Sequence, residues 1–561
     1  MNVISLITAF VALQGGAAKK PTLNLDVFRM VGTQRVAVKT GESITGEIHF
    51  RVVLQTETPI QAVEFYLGDD LRESDGSTPY EFKVDTIGEE DGEYKFRFKG
   101  FTTEGQNAEK VYSLKIDNGV SKGAAYHVER GNEFIAEGKF DDAITAGRIA
   151  QKADRDFNPA RILLAQANFR KGFYDKAQKF AEDALTADKK SKVAKDILIS
   201  LKINQAFNAV SRSADDRKEV IKTIKNALSS AIVLRKEQQD DEVAAVSGDK
   251  TSLEYLDAAI RARRYTLVVD ALADRLTSEF KNNDHNNRLL FAYLMTSQIT
   301  KADQLLTNIK KFGELDGYGY ALAAVLGAEY GNDNQSDSMI KEALLNAPDS
   351  LGLSTAQAFI ALKRDQQKAL LDAAKALLSG SEVRSESYYF AAALSNKQNQ
   401  INQGRKYFEL ALKADVADHD MYVEMGNEAI LLAQNPAVTG KDNEFQLEYA
   451  RAMYDLALAC RDNSGQALAG VALAAMYQKD YAAAQSYAEA ATKAAPNYAA
   501  GWYVYAGALA IRQQDGRAAL QKAQMLDAKN LAGRTMPTQD VAFKYFNSAG
   551  RTPVISPPVR G

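Results

Sequence analysis

The period of polar and apolar positions changes near residue 118 of this 561-residue chain. From Thr22 to Asp117, Val, Ile, Phe and Tyr alternate with polar residues or cluster between turn residues. The clearest stretches are Ser43 to Val53, Ala62 to Leu67, Tyr80 to Val84, Tyr94 to Phe101 and Lys110 to Ile116. Alternation places every second side chain on one face of a strand, so about seven short strands in an antiparallel sandwich are expected here.

From Gly119 to Asn530 the spacing becomes helical and repeats. Small or apolar residues mark one fixed point in each unit: Ala143, Ala177, Ala227, Val268, Ala302, Ser336, Leu370, Gly404, Ala450, Ala484 and Ala518. Seven of the ten intervals are 34 residues, and the others, 50, 41 and 46, are longer, as insertions into a unit would make them. Twelve residues before most markers stands a second small residue (Gly131, Ala165, Ala324, Ala358, Ala392, Ala472, Ala506), and seven after come Ala150, Ala184, Ala343, Ala411, Ala457 and Ala491. Small residues there let two helices of a hairpin approach closely. One such hairpin cannot bury its apolar side, so about eleven units must stack.

This period resembles that of the tetratricopeptide (TPR) family. The residues that carry the resemblance are Gly131, Phe134, Ala143 and Ala150 at the start; Tyr422, Gly426, Ala450, Tyr454 and Ala457 around an insertion; and Ala484, Ala491, Pro496, Trp502, Ala506 and Ala518. Between Lys192 and Asp284 the units are read from spacing alone. The resemblance implies an all-α superhelical solenoid whose first helices line a concave, partner-binding groove. In that register the groove-facing residues are Asn132, Gln166, Tyr389, Asn396, Asn427, Tyr477 and Tyr503. Amides suit an extended peptide backbone, and tyrosine adds area with a polar tip. Some family members grip a C-terminal carboxylate with paired Lys and Asn. Asn132 matches one such point, but Val128 stands where the lysine would be needed. The cluster Tyr388, Tyr389 and Phe390 is a further candidate surface.

A second resemblance lies in Val63 to Leu67, Asp75 to Phe82, Asp91 to Tyr94 and Thr102 to Gly105, which are similar to bacterial immunoglobulin-like modules. It implies an immunoglobulin-like sandwich serving as a spacer or adhesive unit. This module has 18 acidic and 11 basic residues, net −7. Its clusters Asp69, Asp70, Glu73, Asp75 and Glu89, Glu90, Asp91 lack the fixed ligand spacing of a calcium loop, so solvated turn carboxylates are expected.

The ends of the chain add context. Val3 to Leu13 is an apolar run followed by small residues, which fits a secretory signal, although no basic residue precedes it. The run is too short to span a bilayer. The expected order is a signal peptide (1–18), the sandwich (22–117), the repeat array (119–530), and a final segment (533–561) in which Val541 to Phe546 caps the array and a Pro-containing tail is disordered. Between Ala160 and Asn435 the only proline is Pro348, as a long run of helix interiors requires. The polar stretches Glu237 to Lys250 and Gln434 to Asn443 are expected to be exposed loops.

Composition excludes little but points away from nucleic acid: 69 basic against 72 acidic residues give net −3. There is no Gly-rich phosphate loop, His-Glu-x-x-His, Cys-x-x-Cys or Gly-x-Ser-x-Gly. His49, His127, His285 and His419 are far apart, and Cys460 is a lone thiol at a position where small apolar residues are wanted. Ser278 and Lys281 form a Ser-x-x-Lys pair without companion motifs. The expectation is an exported, non-enzymatic scaffold, periplasmic or at the cell surface, that takes no cofactor or metal. It would bind protein or peptide partners in cell-envelope assembly or organisation. The alternative is a cell-surface adhesive or polysaccharide-binding protein in which the sandwich binds and the array is a spacer. A leader that is not a signal would place the protein in the cytoplasm.

Overall fold

The computed structural model describes residues 20–527, except 32, 210–215, 275–279, 297, 330–331, 349, 381–382 and 436. The expected signal peptide, Ser278, the capping segment and the tail lie outside the described residues. A β-sheet N-terminal region is followed by a multi-helix, solenoid-like region, and the chain divides into two compact units, one up to Ile197 and one from Leu198 onward.

In the first unit the strands are β1 (Thr22–Val31), β2 (Gln34–Ala37), β3 (Ser43–Ile44), β4 (Glu47–Gln55), β5 (Ile60–Leu67), β6 (Asp70–Asp75), β7 (Tyr80–Asp85), β8 (Gly92–Thr102) and β9 (Asn107–Ile116). They make a four-stranded sheet ordered β2-β1-β4-β7 and a five-stranded sheet ordered β3-β9-β8-β5-β6. The run expected over Ser43 to Val53 is split. Gly46, at φ 82, breaks it so that β3 pairs with β9 in one sheet while β4 pairs with β1 and β7 in the other. Only a residue without Cβ reaches that conformation cheaply. Inward residues of both sheets form one core, centred on Phe50, Phe65, Phe82, Phe96 and Phe98 with rings 4.9–6.3 Å apart.

The same unit contains α1 (Ala124–Ala136), α2 (Phe140–Ala153), α3 (Asn158–Lys171) and α4 (Tyr174–Ala187). The sandwich is fastened to the first hairpin. Arg148 of α2 pairs with Asp85, and Lys152 Nζ donates to the carbonyls of Ile87 and Glu89. In the joint, Asn118 N donates to Asp91 Oδ1 at 2.7 Å and His127 Nε2 lies 2.8 Å from the Gly119 carbonyl oxygen. These bonds account for His127 without invoking a metal.

The second unit begins within α5 (Lys192–Phe207). It continues through α6 (Arg217–Ala245), α7 (Leu253–Arg261), α8 (Tyr265–Leu272), α9 (Asn283–Met295), α10 (Ile299–Phe312), α11 (Gly317–Glu329) and α12 (Asp333–Asn346). Next come α13 (Leu351–Lys363), α14 (Gln367–Ser379), α15 (Ser385–Lys397), α16 (Ile401–Ala414), α17 (His419–Gln434) and α18 (Lys441–Cys460). The last are α19 (Gly465–Tyr477), α20 (Tyr481–Ala494), α21 (Ala499–Ile511) and α22 (Arg517–Leu526).

The sequence markers sit where helices cross. All are buried except Ala518, which is exposed while Ala519 takes the inward place. The cause is the turn: α20 starts four residues after Tyr477, whereas α22 starts six after Ile511. Five residues before the marker the backbone repeatedly turns left-handed, at Gly138, Gly172, Arg263, Asp365, Asn399, Lys479 and Gln513, with φ between 56 and 83°. In these hairpins it is the residue that ends the first helix.

Two inserted segments behave differently. Residues 434–443 include the turn between α17 and α18, as expected of a loop. Glu237 to Ala245, expected in an exposed loop, instead forms the end of the 29-residue α6. Leu228, Ile232, Gln239 and Val243 fall on one face of that helix and are buried, so packing overrides a polar local composition. Leu228 and Ile232 join a core shared with Phe408, Met421, Tyr422 and Leu456, which lie far along the chain, and Val243 packs in the cluster of α7 to α9. Lys225 pairs with Asp455 at 2.6 Å, and Lys236 Nζ donates to the Ala459 carbonyl at 2.9 Å. The helices from α6 to α18 therefore form a closed circuit rather than an open run.

Candidate functional site

The seven residues expected to line one groove do not form one lining. Asn132 on α1 is exposed and Gln166 on α3 is half-buried, both in the first unit. In the second unit Tyr477 is half-buried and accepts from Gln434 Nε2 at 3.1 Å. Asn427 and Tyr503 are each only 2% exposed, which removes them from any accessible face. Asn427 Oδ1 accepts the Tyr454 hydroxyl at 2.8 Å, a pairing that satisfies both groups inside the core. Burial pushes the Tyr503 phenol well above its usual pKa, with Asp527 acting in the same direction.

Tyr389 and Asn396 sit on α15, facing α17. Tyr389 packs edge-on against Phe390 at 5.2 Å, and burial raises its phenol well above the ordinary range. Asn396 Nδ2 makes a long contact, 3.5 Å, with Glu428 Oε2 on α17. Glu424 lies one turn before Glu428, and burial pushes both carboxyls up to about 7. Lys397 and the Asn427 and Asn396 amides pull Glu424 the other way, whereas the Glu424 charge adds to the rise at Glu428. In this cluster, burial among their own helices thus holds both carboxyls toward the protonated form.

Beside it lies an arrangement the sequence did not reveal. His419 Nδ1 is 2.7 Å from Asp420 Oδ1, and its Nε2 is 2.7 Å from Ser464 Oγ. The geometry matches a serine–histidine–acid triad. The surroundings do not. Ser464 and His419 are buried, and Ser464 Oγ also accepts the Ala467 N–H at 3.2 Å as the N-cap of α19. No carbonyl substrate could reach an oxygen so enclosed and so committed. Burial also holds the His419 pKa below its ordinary value, and with Asp420 accepting from Nδ1 the neutral ring accepts from Ser464. Cys460 is partly buried against the same core, and desolvation pushes its thiol well above the reactive range. Among the described residues no group of His, Cys, Asp and Glu has the arrangement to hold a metal ion.

An accessible site lies elsewhere. Second helices α14 and α16 are the walls of a groove of about 700 Å³, and the end of α15 is its floor. Leu371, Leu378, Leu394 and Ile401 give it apolar surface, and Gln398 to Gln403 supply amides around the left-handed turn at Asn399. Lys375 and Lys406 stand on opposite walls. The repeat register points to the first helices for binding, whereas this groove is walled by second helices; its signal in the sequence is the amide run Gln398, Asn399, Gln400, Asn402 and Gln403.

No family model and no curated protein matches the chain. Among solved structures it is similar to the APC/C hetero-tetramer Cut9–Hcn1, at 13% identity over 74% of this chain and 84% of that one, with a TM-score of 0.38. It is similar to yeast Tom70 at 15% identity over 76% and 95% of the two chains, with a TM-score of 0.29. The fibronectin(III)-like modules of Clostridium thermocellum CbhA match 17% of this chain and 94% of theirs at 23% identity, with a TM-score of 0.14. Scores this low fix neither activity nor partner for this chain. Among the described residues, no helix is long and apolar enough to cross a membrane.

Proposed function

We propose that this protein is a non-enzymatic scaffold, an immunoglobulin-like sandwich followed by a TPR-like array, which binds protein or peptide partners through its helical region. The observation that carries the reading is the groove between α14 and α16, where apolar surface, amides and lysines face outward together. Other polar clusters are turned inward and satisfied by their own helices, as at Asn427 and Tyr454 or His419 and Ser464. The 34-residue recurrence of buried small residues supports the array assignment, and the apolar run Val3 to Leu13 supports export to the cell envelope.

The test is cross-linking of the full-length protein in its native cells, followed by mass spectrometry of the linked positions and of the N-terminus. Partner cross-links on α14 to α16, on a chain starting near Lys19, are the expected result. Cross-links confined to Thr22–Asp117 would favour the adhesive reading, with the array as spacer. A chain retaining Met1 and linked to cytosolic proteins would overturn the localisation.

A further inference from the structure

The charged side chains that line the α14–α16 groove are of one sign. We infer that it takes an extended peptide segment in which aliphatic residues alternate with carboxylates, an assignment that rests on the scaffold reading above. Lys375 and Lys406 are both exposed, and among the described residues neither has an ion-pair partner and no carboxylate lines the groove. By contrast, Lys397 on α15 is paired with Asp365 at 2.8 Å, and Lys413, further along α16, with Glu409 at 2.6 Å. Two uncommitted cations on facing walls form a complement to two anionic groups on one ligand.

The rest of the groove selects among anionic ligands. Leu371, Leu378 and Ile401 offer aliphatic surface that a peptide side chain covers and a sulfated sugar chain does not. The amides of Gln398, Asn402 and Gln403 each carry both a donor and an acceptor, which suits the alternating N–H and C=O of an extended backbone. The volume, about 700 Å³, falls within the range of ligand clefts. The occupant is therefore an acidic, aliphatic peptide rather than an anionic polysaccharide.

Fluorescence anisotropy with the full-length protein tests this. The probe is a fluorescein-labelled, C-terminally amidated peptide of four Glu-Leu repeats; the comparators are its Lys-Leu counterpart and a chondroitin sulfate fragment. The Glu-Leu probe should bind saturably and lose affinity as salt rises. Lys375→Gln with Lys406→Gln should weaken it by roughly tenfold, and Lys375→Glu with Lys406→Glu should abolish it and admit the Lys-Leu peptide. Because both lysines are exposed, the thermal unfolding of these variants should match the wild type. Wild-type protein that ignores the Glu-Leu probe, binds it as well after charge reversal, or prefers the sulfated sugar overturns the assignment. Partners cross-linked to α14 to α16 in native cells would then still leave the scaffold reading standing.

Discussion

Arg263 Nη2 lies 3.1 Å from Asp418 Oδ2, an ion pair whose side chains are 12% and 1% exposed. The same guanidinium reaches Asp415 at 3.2 Å, Glu386 at 3.1 Å and Ser385 Oγ at 3.0 Å, so it joins the α7–α8 turn to α15 and to the start of α17. It does so from a left-handed backbone, φ 58, that costs a non-glycine residue about 1 kcal/mol. Burial disfavours the charge on Arg263, but Asp418, Glu386 and Asp415 outweigh it and raise its pKa well above the usual value. Asp418 is itself pushed up by burial, with the guanidinium pulling the other way.

Removing one side of this pair should cost more than the pair contributes. Arg263→Met would leave Asp418 enclosed without its cation, and Asp415 with Arg235 alone, a loss of about 3–5 kcal/mol. Arg263→Gly would relieve the backbone and still lose most of that. Amide exchange read by mass spectrometry should accelerate at the α7–α8 turn and the start of α17 in both variants. A second change, Asp418→Leu, in the Arg263→Met background should restore much of the protection. Unchanged exchange in Arg263→Met would mean that the seam is held by something else.

Glu424 and Glu428 make stability depend on pH in an unusual direction. Their folded pKa values, about 7, lie above the ordinary carboxyl range, so the protonated form is favoured on folding. That contribution is full below about pH 4 and is lost as pH rises through 7. Raising the pH from 6 to 8 should lower the stability of this region by about 1.4 kcal/mol for each group that titrates so. Glu424→Gln with Glu428→Gln should flatten the dependence of the melting temperature over that window. A wild-type profile already flat from pH 6 to 8 would show that water reaches the pair.

What the sequence revealed here followed locality. A small residue is needed wherever two neighbouring helices cross, so the recurrence of small residues, mostly at 34-residue spacing, located buried alanines from Ala143 to Ala491. Depth was not readable. Asn427 occupies a position that looks groove-facing, yet it is buried because Tyr454, 27 residues away, supplies its partner. The α6 helix was hidden for a similar reason: its polar run Glu237 to Glu242 reads as a loop until the distant core that covers Leu228 and Ile232, and the α7 cluster that covers Val243, are known.

The Ser464–His419–Asp420 geometry should be chemically silent. With the hydroxyl capping α19 and shut away from solvent, a fluorophosphonate probe should not label the folded chain. Ser464→Ala should instead lower stability by about 1–3 kcal/mol, through the lost cap and an unsatisfied ring nitrogen. The depressed His419 pKa adds stability that is present above about pH 6.5 and lost as pH falls through the folded value, opposite in sign to the glutamates. A covalent adduct at Ser464 would reopen the question of catalysis.

Tyr454 fixes how closely α17 and α19 approach α18. A Cβ on Gly426 would meet its ring at 2.6 Å, and one on Gly470 would also fall inside contact distance. Both glycines flank a fully buried ring that cannot swing away without losing its bond to Asn427. Gly426→Ala and Gly470→Ala should each cost about 1–3 kcal/mol, as overpacking does. In a double-mutant cycle, Tyr454→Leu should recover part of the Gly470→Ala loss. Additive effects would place the strain elsewhere.

The closure between α6 and α18 poses a choice between charge and apolar contact. Lys225–Asp455 and Arg217–Asp442 decorate the seam, but each has at least one half-exposed partner, and such pairs are worth about 0–1 kcal/mol. Leu228 and Ile232 are 1% exposed within the shared core, and truncating a leucine so placed costs about 2–5 kcal/mol. Leu228→Ala should therefore release amide protection along α6 and along the facing part of α18, whereas Lys225→Ala should change little. High salt should spare the seam for the same reason. If salt alone opened it while Leu228→Ala left it protected, the charges would be the fastening and the apolar face only a filling.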